Sequence, residues 1–200
     1  AVMKAQVDVY KRKNISKEEA VFVEKIDENI EKLKNLIEAV LMFSKNQEAN
    51  ISKVCIGSLI EEILFDLEDK IANKNLSVKF IKDEDLCLQT DDTLLQRLLF
   101  NIIENAIKYN NENGSIEIIT KKEKCNTIIE ISDTGIGMTD EQKERIFDLF
   151  YQADYSRSGE GFGIGLALSK EIVDSLGAKI TVLDNKSSGS TFVISFLTEN

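Results

Sequence analysis

A carboxylate followed by two closely spaced glycines, Asp133-Thr134-Gly135-Ile136-Gly137, constrains the fold more than any other stretch of this sequence. It directly follows an apolar segment, residues 127–132, that predicts a β-strand. A carboxylate buried at the end of a strand needs a hydrogen-bond donor, and the exocyclic amine of adenine is one. Glycines at this point allow a flat ring to approach the backbone closely. A simple strand-to-loop turn is the alternative.

A predicted helix over residues 91–109 carries polar side chains beside an apolar face. Asn101, Asn105 and Lys108 are spaced at i, i+4 and i+7, so they share one face of the helix. Two amides and an ammonium group can hold a hydrated Mg²⁺ and the phosphates that it carries. A solvated helix face is the alternative for these three residues alone.

A glycine-rich segment containing Gly161, Gly163 and Gly165 leads into a predicted apolar helix that ends at Gly177. Backbone N–H groups at the start of such a helix can bind phosphate. No Lys-Ser/Thr pair follows the glycines, which excludes a Walker A loop, and no strand directly precedes them, which argues against a Rossmann motif.

Composition limits the possible partners and compartments. The 200 residues carry a net charge of −10, which argues against nucleic acid or an anionic membrane surface as the main partner. Three scattered cysteines without metal-type spacing predict reduced, unpaired thiols in the cytosol. No apolar run approaches the roughly 18 residues needed to span a bilayer, and no signal peptide is visible.

The N-terminal quarter predicts a helix from about residue 16 to 46 with an apolar heptad seam. The members of this seam are Val23, Ile26, Ile30, Leu33, Ile37 and Val40. Because such a seam cannot remain bare in water, we expect a helical hairpin that dimerises into a four-helix bundle. The alternative is a helix packed on the sheet of its own domain.

The rest of the sequence interleaves predicted helices and strands. Residues 47–55 are expected to be a polar connection, and Ser58 with Glu61 predicts a capping box that opens the next helix. Six strands are predicted at residues 76–81, 86–89, 116–120, 127–132, 178–183 and 191–196. The pattern predicts an α+β fold, a two-layer α/β sandwich with a mixed sheet covered by helices on one face.

In this order and spacing, the motifs resemble the sequence boxes of the sensor histidine kinases of two-component systems. The resemblance covers essentially the whole chain. It implies a Bergerat-type catalytic ATP-binding domain over residues 54–200, preceded by the C-terminal part of a dimerisation and phosphotransfer hairpin over residues 1–48. The segments that carry the resemblance are the N box at 101–109, the G1 box at 133–138, the F box at 146–151, the G2 box at 161–168 and a short box at 189–192.

The resemblance also implies which residues bind the nucleotide. Asn105 would coordinate Mg²⁺ with help from Asn101, Lys108 would contact phosphate, and Tyr109 would lie near the nucleotide. Asp133 would accept a hydrogen bond from the adenine amine. The other implied ATP-binding residues are Gly135 and Gly137 beside the ring, Thr191 beneath it, and Gly161, Gly163, Gly165 and Leu166 around the phosphates.

Residues 139–160 would form a mobile lid over that site. Thr139 and Gln142 predict a capping box at the start of a short helix in this lid. Phe147 and Phe150 would anchor the lid through apolar contacts.

The function implied by the resemblance is that of a histidine kinase core. The γ-phosphate of ATP would pass to a histidine upstream of residue 1 and then to an aspartate on the receiver domain of a response regulator. The chain contains no histidine and lacks the acceptor box H-E-x-x-T-P, so we expect that its first helix begins outside this sequence. We expect a homodimer, the cytoplasmic part of a sensor whose membrane attachment lies outside this chain.

Three alternatives stay open. An ATPase of the gyrase, chaperone or mismatch-repair type would need a glutamate base at the position of Asn101, and Glu104 lies about 100° around the helix from Asn105. An anti-sigma-factor serine kinase would not explain the heptad seam. A catalytically incomplete scaffold that binds nucleotide and dimerises is compatible with the lack of a histidine.

Overall fold

A computed structural model of the protein describes residues 19–23, 26, 30, 33, 37, 50–83, 86–152, 163–185 and 188–197. The described residues between 19 and 37 are helical, in agreement with the predicted seam helix. The remainder of that helix and the proposed first helix lie outside the described residues. In the described part of the chain, no helix combines the length and the apolar character needed to cross a bilayer.

Helices and strands alternate along the described chain from residue 51 onward. Their bounds are β1 Ile51–Cys55, α1 Ile56–Asp66, α2 Glu68–Asn73, β2 Ser77–Ile81, β3 Cys87–Asp91, α3 Asp92–Lys108, β4 Ser115–Glu123, β5 Asn126–Asp133, α4 Asp140–Arg145, α5 Gly165–Ser175, β6 Ala178–Asp184 and β7 Ser190–Leu197.

The main sheet has five strands in the order β2-β4-β5-β7-β6. Strand β2 runs parallel to β4, and the other neighbours are antiparallel. Side chains alternate between buried and half-buried along β5 and most of β7, because one face of the sheet packs on the helices. The predicted α+β sandwich with a mixed sheet is confirmed.

Helix α3 forms the centre of the core. Leu95, Leu99 and Ile103 have no solvent exposure, and they lie on the stripe that faces the sheet. Asp91 caps the helix, since its Oδ1 accepts a hydrogen bond from the backbone N–H of Leu94 at 3.0 Å. Burial of this stripe leaves the polar stripe of α3 at the edge of the core.

The structure differs from the sequence prediction around β1. Residues 51–55 form a strand rather than a polar connection, and they pair with β3 in a separate two-stranded sheet. The predicted capping box of Ser58 and Glu61 is wrong, because helix α1 begins at Ile56 directly after that strand. The second predicted capping box, Thr139 with Gln142, is confirmed at the start of α4.

The cysteine prediction is also wrong in part. Cys55 and Cys87 form a disulfide, whereas Cys125 is free and exposed. The two paired cysteines are 32 residues apart in the sequence, but they are register partners across β1 and β3. Spacing along the chain could not reveal a pairing that depends on strand register.

Candidate functional site

Asp133 lies at the end of β5 and is only 6% exposed. Its Oδ1 accepts hydrogen bonds from the backbone N–H groups of Gly135, at 2.8 Å, and Ser190, at 3.3 Å. Burial raises the pKa of the Asp133 carboxyl, and the two backbone hydrogen bonds partly oppose that rise. Both bonds use Oδ1, so Oδ2 remains as an acceptor for a ligand.

The loop after β5 packs directly on the end of helix α3. A Cβ atom at Gly135 would overlap the carbonyl oxygen of Tyr109, so this position has no room for a side chain. The backbone N–H of Ile136 donates to the same carbonyl at 3.2 Å. Gly137 follows with a φ of 67°. The contact brings the predicted N and G1 boxes together.

A polar cluster beside this contact was not predicted from the sequence. The buried Asn110 donates from Nδ2 to the carbonyl of Ser115 at 3.1 Å, and Thr134 Oγ1 donates to Asn110 Oδ1 at 3.2 Å. The N–H of Ser115 donates to Thr134 Oγ1 at 2.8 Å. These bonds tie the segment after α3 to the ends of β4 and β5. In the sequence, Asn110 and Thr134 look like ordinary turn residues, so the sequence analysis did not predict this cluster.

Asn101 holds two helices together. Its Nδ2 donates to Ser169 Oγ on α5 at 2.6 Å, and that hydroxyl donates to the carbonyl of Gly165 at 3.1 Å. A Cβ atom at Gly165 would lie 2.6 Å from Asn101 Oδ1, so the amide oxygen faces the start of α5 closely. The hydrogen bond to Ser169 thus uses the amide nitrogen of Asn101, and its predicted role as a metal ligand through the amide oxygen stays a prediction.

Asn105 carries the second amide on this face of α3. It is half-buried, and its side chain has no hydrogen-bond partner within the part of the chain that the structure describes. Lys108 lies one turn further along, with Nζ 5.2 Å from the centre of the Tyr109 ring. Lys74 donates to the carbonyls of Lys108 and Asn110, at 2.6 and 3.1 Å, which stabilises this helix end.

An all-carboxylate metal centre is absent from the described residues. Among these residues, no three His, Cys, Asp or Glu side chains lie close enough together to hold a metal ion. Glu104 forms an ion pair with Lys70 on α2. A metal bound here would depend on an amide oxygen and on the oxygens of the ligand itself, which suits the preference of Mg²⁺ for few protein ligands.

The structure separates Thr191 from Asp133. Thr191 Oγ1 is hydrogen-bonded to Ser132 Oγ at 2.9 Å, and Ser132 precedes Asp133 in the same strand. Since successive side chains of a strand point to opposite faces, Thr191 lies across the sheet from the carboxylate. The residue beside Asp133 is the buried Ser190, whose N–H contacts it. The sequence analysis named Thr191, which is the next residue along β7 after Ser190.

The glycine-rich segment and the lid are described in part. Gly161 lies outside the described residues, as do residues 153–160 of the predicted lid. Gly163 accepts a hydrogen bond from the N–H of Phe150 at 3.0 Å, Gly165 begins α5, and Leu166 packs partly buried against the core. The bond between Phe150 and Gly163 therefore joins the described part of the lid to the segment that follows it.

Of the two predicted apolar anchors of the lid, one is found. Phe147 is partly buried against the core, but Phe150 is 60% exposed with a φ of 67°, so its prediction as an anchor is wrong. The first helix of the lid is held instead by Lys143, whose Nζ pairs with Asp184 at 2.6 Å and Asp140 at 3.0 Å. Lys143 donates to these two carboxylates, which stabilise its charged form, so the pKa of Lys143 is raised.

A family model of histidine kinase-, DNA gyrase B- and HSP90-like ATPases matches residues 90–200. The chain belongs to this ATPase family. The match begins in β3 and includes Asn105, Asp133 and Gly165, so the site described above lies in the ATPase domain.

Sensor kinases are among the similar proteins. Sensor protein CiaH of Streptococcus pneumoniae is 42% identical over 107 residues, which cover 52% of this chain and 24% of CiaH. Signal transduction histidine-protein kinase ArlS of Staphylococcus haemolyticus is 33% identical over 196 residues, covering 90% of this chain and 42% of ArlS. The chain thus spans less than half the length of these relatives, and it is a histidine kinase-type ATP-binding domain by sequence.

Solved structures agree with this ATPase fold. The catalytic domain of histidine kinase ThkA matches with a TM-score of 0.68 and 26% identity, over 74% of this chain and 96% of that one. ThkA in complex with the response regulator protein TrrA matches over 99% of this chain and 57% of that one, with a TM-score of 0.76. At 22% identity, the second match supports the fold alone.

Proposed function

We propose that this chain is the nucleotide-binding core of a sensor histidine kinase. It binds Mg-ATP and directs the γ-phosphate to a histidine outside residues 1–200, from which the phosphoryl group passes to an aspartate of a response regulator. The observation that carries the proposal is the contact between Gly135 and the Tyr109 carbonyl. It fixes the buried acceptor Asp133 relative to the helix that carries Asn105 and Lys108, in a chain of this ATPase family.

Asp133 gives the site its preference for adenine. Its Oδ2 is the free acceptor of a buried carboxylate, and the exocyclic amine of adenine supplies the donor that this oxygen needs. Guanine presents a carbonyl at the equivalent position, which would place two acceptors against each other. In this proposal Ser190, rather than Thr191, lies beside the base.

Asn105 and Lys108 would hold the charged end of the nucleotide. The Asn105 amide oxygen is a hard ligand that suits Mg²⁺, and the ion supplies neutralisation of phosphate charge when it is bound. Asn101 acts indirectly, because it fixes the start of α5 through Ser169. The backbone N–H groups at that helix start, at Gly165, can bind phosphate.

The described helical residues between 19 and 37 support a homodimer. Among its described seam residues, Ile26, Leu33 and Ile37 are 36%, 52% and 58% exposed, while Val23 is buried. A row of exposed apolar side chains at heptad spacing is stabilised by packing against a second helix pair. ThkA, whose fold this chain shares, is solved in complex with the response regulator protein TrrA, and the proposal assigns a response regulator to this chain as a further partner.

Two other functions compete with this proposal. A gyrase-type ATPase is disfavoured because Glu104, the carboxylate nearest in sequence to Asn105, is paired with Lys70 on α2. A nucleotide-binding scaffold without kinase activity is favoured by one observation, namely that the 200 residues contain no histidine.

Titration calorimetry of the protein with Mg-ATP and Mg-GTP tests the nucleotide part of the proposal. We expect binding of ATP, weaker or absent binding of GTP, and a loss of ATP affinity when Mg²⁺ is chelated. Equal affinities for the two nucleotides would contradict the assigned role of Asp133. Phosphoryl transfer, which separates the kinase from the scaffold, needs the acceptor experiment described at the end of the Discussion.

A further inference from the structure

Cys55 and Cys87 occupy the narrow kind of cross-strand pair. They are register partners of the antiparallel strands β1 and β3, and their Cα atoms are 4.1 Å apart. The N–H of Ile56 donates to the carbonyl of Leu86 at 3.0 Å, which makes the next pair a hydrogen-bonded one. Because the two kinds of pair alternate along an antiparallel ladder, the cysteines form a non-hydrogen-bonded pair, where side chains approach most closely.

This pair is open to reagents in solution. Cys55 is exposed and Cys87 is half-buried, while their neighbour Val54 anchors β1 in the core. A disulfide sealed in an apolar interior resists exchange, whereas an exposed one can be reached by thiols. Both the formation and the reduction of the Cys55–Cys87 bond are therefore sterically accessible.

The pair also lies at a junction of the chain. Strand β1 is the first described strand of the chain, and the N–H of Asn50 before it donates to Asp91 Oδ2 at 2.8 Å. The other oxygen of Asp91 caps helix α3, which carries Asn105. The disulfide thus strengthens a link between the incoming chain and the start of the helix that lines the site.

We propose that Cys55 and Cys87 are a reversible dithiol–disulfide modification site that clamps β1 onto β3. This inference does not depend on the kinase activity proposed above. The oxidant is a small-molecule disulfide such as oxidised glutathione, and the reductant is the corresponding thiol. The clamp responds to the balance between the two.

The exchange proceeds in two steps that balance. The exposed Cys55, as its thiolate, attacks one sulfur of glutathione disulfide, forming a mixed disulfide and releasing one glutathione thiolate. The Cys87 thiolate then attacks the Cys55 sulfur and releases the second glutathione. The two protons lost by the cysteines are taken up by the two glutathione thiolates, and two protein thiols are oxidised while one disulfide is reduced.

Clamping should change the opening of β1 more than that of the main sheet. Among the described residues, strand β1 pairs with β3 and with no other strand, and four of its five side chains are exposed. A two-stranded sheet with so little burial opens readily, so a covalent link across it restricts that opening directly. The five-stranded sheet lies outside this constraint.

Thiol counting with the folded protein tests the site. After equilibration with excess reduced glutathione, the wild-type chain should titrate three thiols. After equilibration with excess oxidised glutathione, Cys55 and Cys87 should no longer titrate and the chain should lose the mass of two hydrogens. Any glutathione bound to Cys125 is counted separately. Cys125→Ser should retain this two-thiol change. Cys55→Ser and Cys87→Ser should both abolish it and instead trap glutathione on the remaining cysteine.

Hydrogen exchange provides an independent readout that needs no variant. Oxidation should slow exchange of the β1 amides by tenfold or more and leave those of β5 and β7 unchanged, and dithiothreitol should reverse the change. A disulfide that native-state reductant cannot open, or oxidation that yields only Cys125-linked dimers, would overturn the proposal. Equal exchange of β1 in the two states would refute the clamp.

Discussion

Asn101 on helix α3 donates a hydrogen bond to the Ser169 hydroxyl on helix α5, with 2.6 Å between Nδ2 and Oγ. Ser169 is 1% exposed, and its hydroxyl also donates to the carbonyl of Gly165 at the start of α5. One buried hydroxyl thus connects the helix of the N box to the helix of the G2 box. We interpret Asn101 as a residue that positions the start of α5.

Ser169→Ala should weaken both folding and nucleotide binding. The substitution leaves the half-buried Asn101 amide without its partner, which costs about 1–2 kcal/mol of unfolding free energy, and it loosens the start of α5. Denaturant unfolding and calorimetry with Mg-ATP provide the two measurements. Ser175→Ala is the matched control, since Ser175 on the same helix donates to the carbonyl of Glu171 at 2.8 Å but is exposed. Equal effects of the two variants would refute the positioning role.

Asp133→Asn should weaken ATP binding while it stabilises the free protein. An amide can still accept the hydrogen bonds from Gly135 and Ser190 through its oxygen, and it removes a buried negative charge. Its N–H₂ group would meet the adenine amine, so we expect a loss of about 1–3 kcal/mol in ATP affinity. Calorimetry measures the expected loss of ATP affinity, and denaturant unfolding of the same variant measures the expected gain in stability. Loss of stability together with unchanged affinity would contradict the assignment.

The raised pKa of Asp133 gives a second test of the same residue. Because its pKa is higher in the folded than in the unfolded chain, the native state binds a proton more tightly than the unfolded state does. The contribution of Asp133 to stability is therefore fully present below the usual pKa of 3.8 and is lost as the pH rises through the higher folded value. The unfolding free energy of wild type relative to Asp133→Asn should fall over that window. A difference that is independent of pH would exclude the burial effect.

The exposed seam predicts a dimer that charged substitutions disrupt. Ile30→Asp together with Ile37→Asp should shift the protein to monomer, because two carboxylates would be desolvated in the helix interface. Nucleotide affinity should be nearly unchanged, since distant sites act independently. Light scattering measures the mass. Val21→Asp is the control on the same helix: it is 54% exposed and lies about 200° around the helix from the seam residue Val23.

The lid should exchange faster without nucleotide. Residues 139–152, the described part of the lid, are held by the Thr139–Gln142 capping box and by Lys143, so we expect partial protection of their amides in the free protein. Residues 153–160 form the second segment of the predicted lid. A non-hydrolysable Mg-ATP analogue should slow exchange in the second segment, as lids close over bound substrate. Peptide-level hydrogen exchange measures both segments. Identical protection of residues 153–160 with and without the analogue would contradict a lid function.

The sequence predicted elements with strong periodicity and missed features that depend on pairing between distant segments. Helix α3 and strand β5 each bury a regular apolar stripe, and both were predicted within a few residues. Strand β1 buries only Val54, so its sequence has no alternation to detect. The Cys55–Cys87 pairing follows from the register of that undetected strand.

In the candidate site, too, some residues could be predicted from the sequence and others depend on contacts between distant segments. The motif residues Asp133 and Gly135 could be named from the sequence, because a carboxylate before closely spaced glycines is unusual at the end of a strand. The choice between Ser190 and Thr191 could not, since it depends on which face of β7 meets Asp133. The role of Ser169 was hidden because a serine among apolar helix positions gives no sign of a partner on another helix.

The most direct test of the kinase account supplies the missing acceptor. Extending the chain before Ala1 with a helix that contains an H-E-x-x-T-P segment should give a protein that incorporates phosphate from γ-labelled Mg-ATP. The label should be labile to acid and stable to alkali, as for phosphohistidine, and the unextended chain should remain unlabelled because it has no histidine. Asn105→Ala in the extended chain should remove most of the label, because the residue proposed to hold the metal is lost. An extended dimer that binds Mg-ATP yet never becomes labelled would contradict the kinase assignment and favour the nucleotide-binding scaffold.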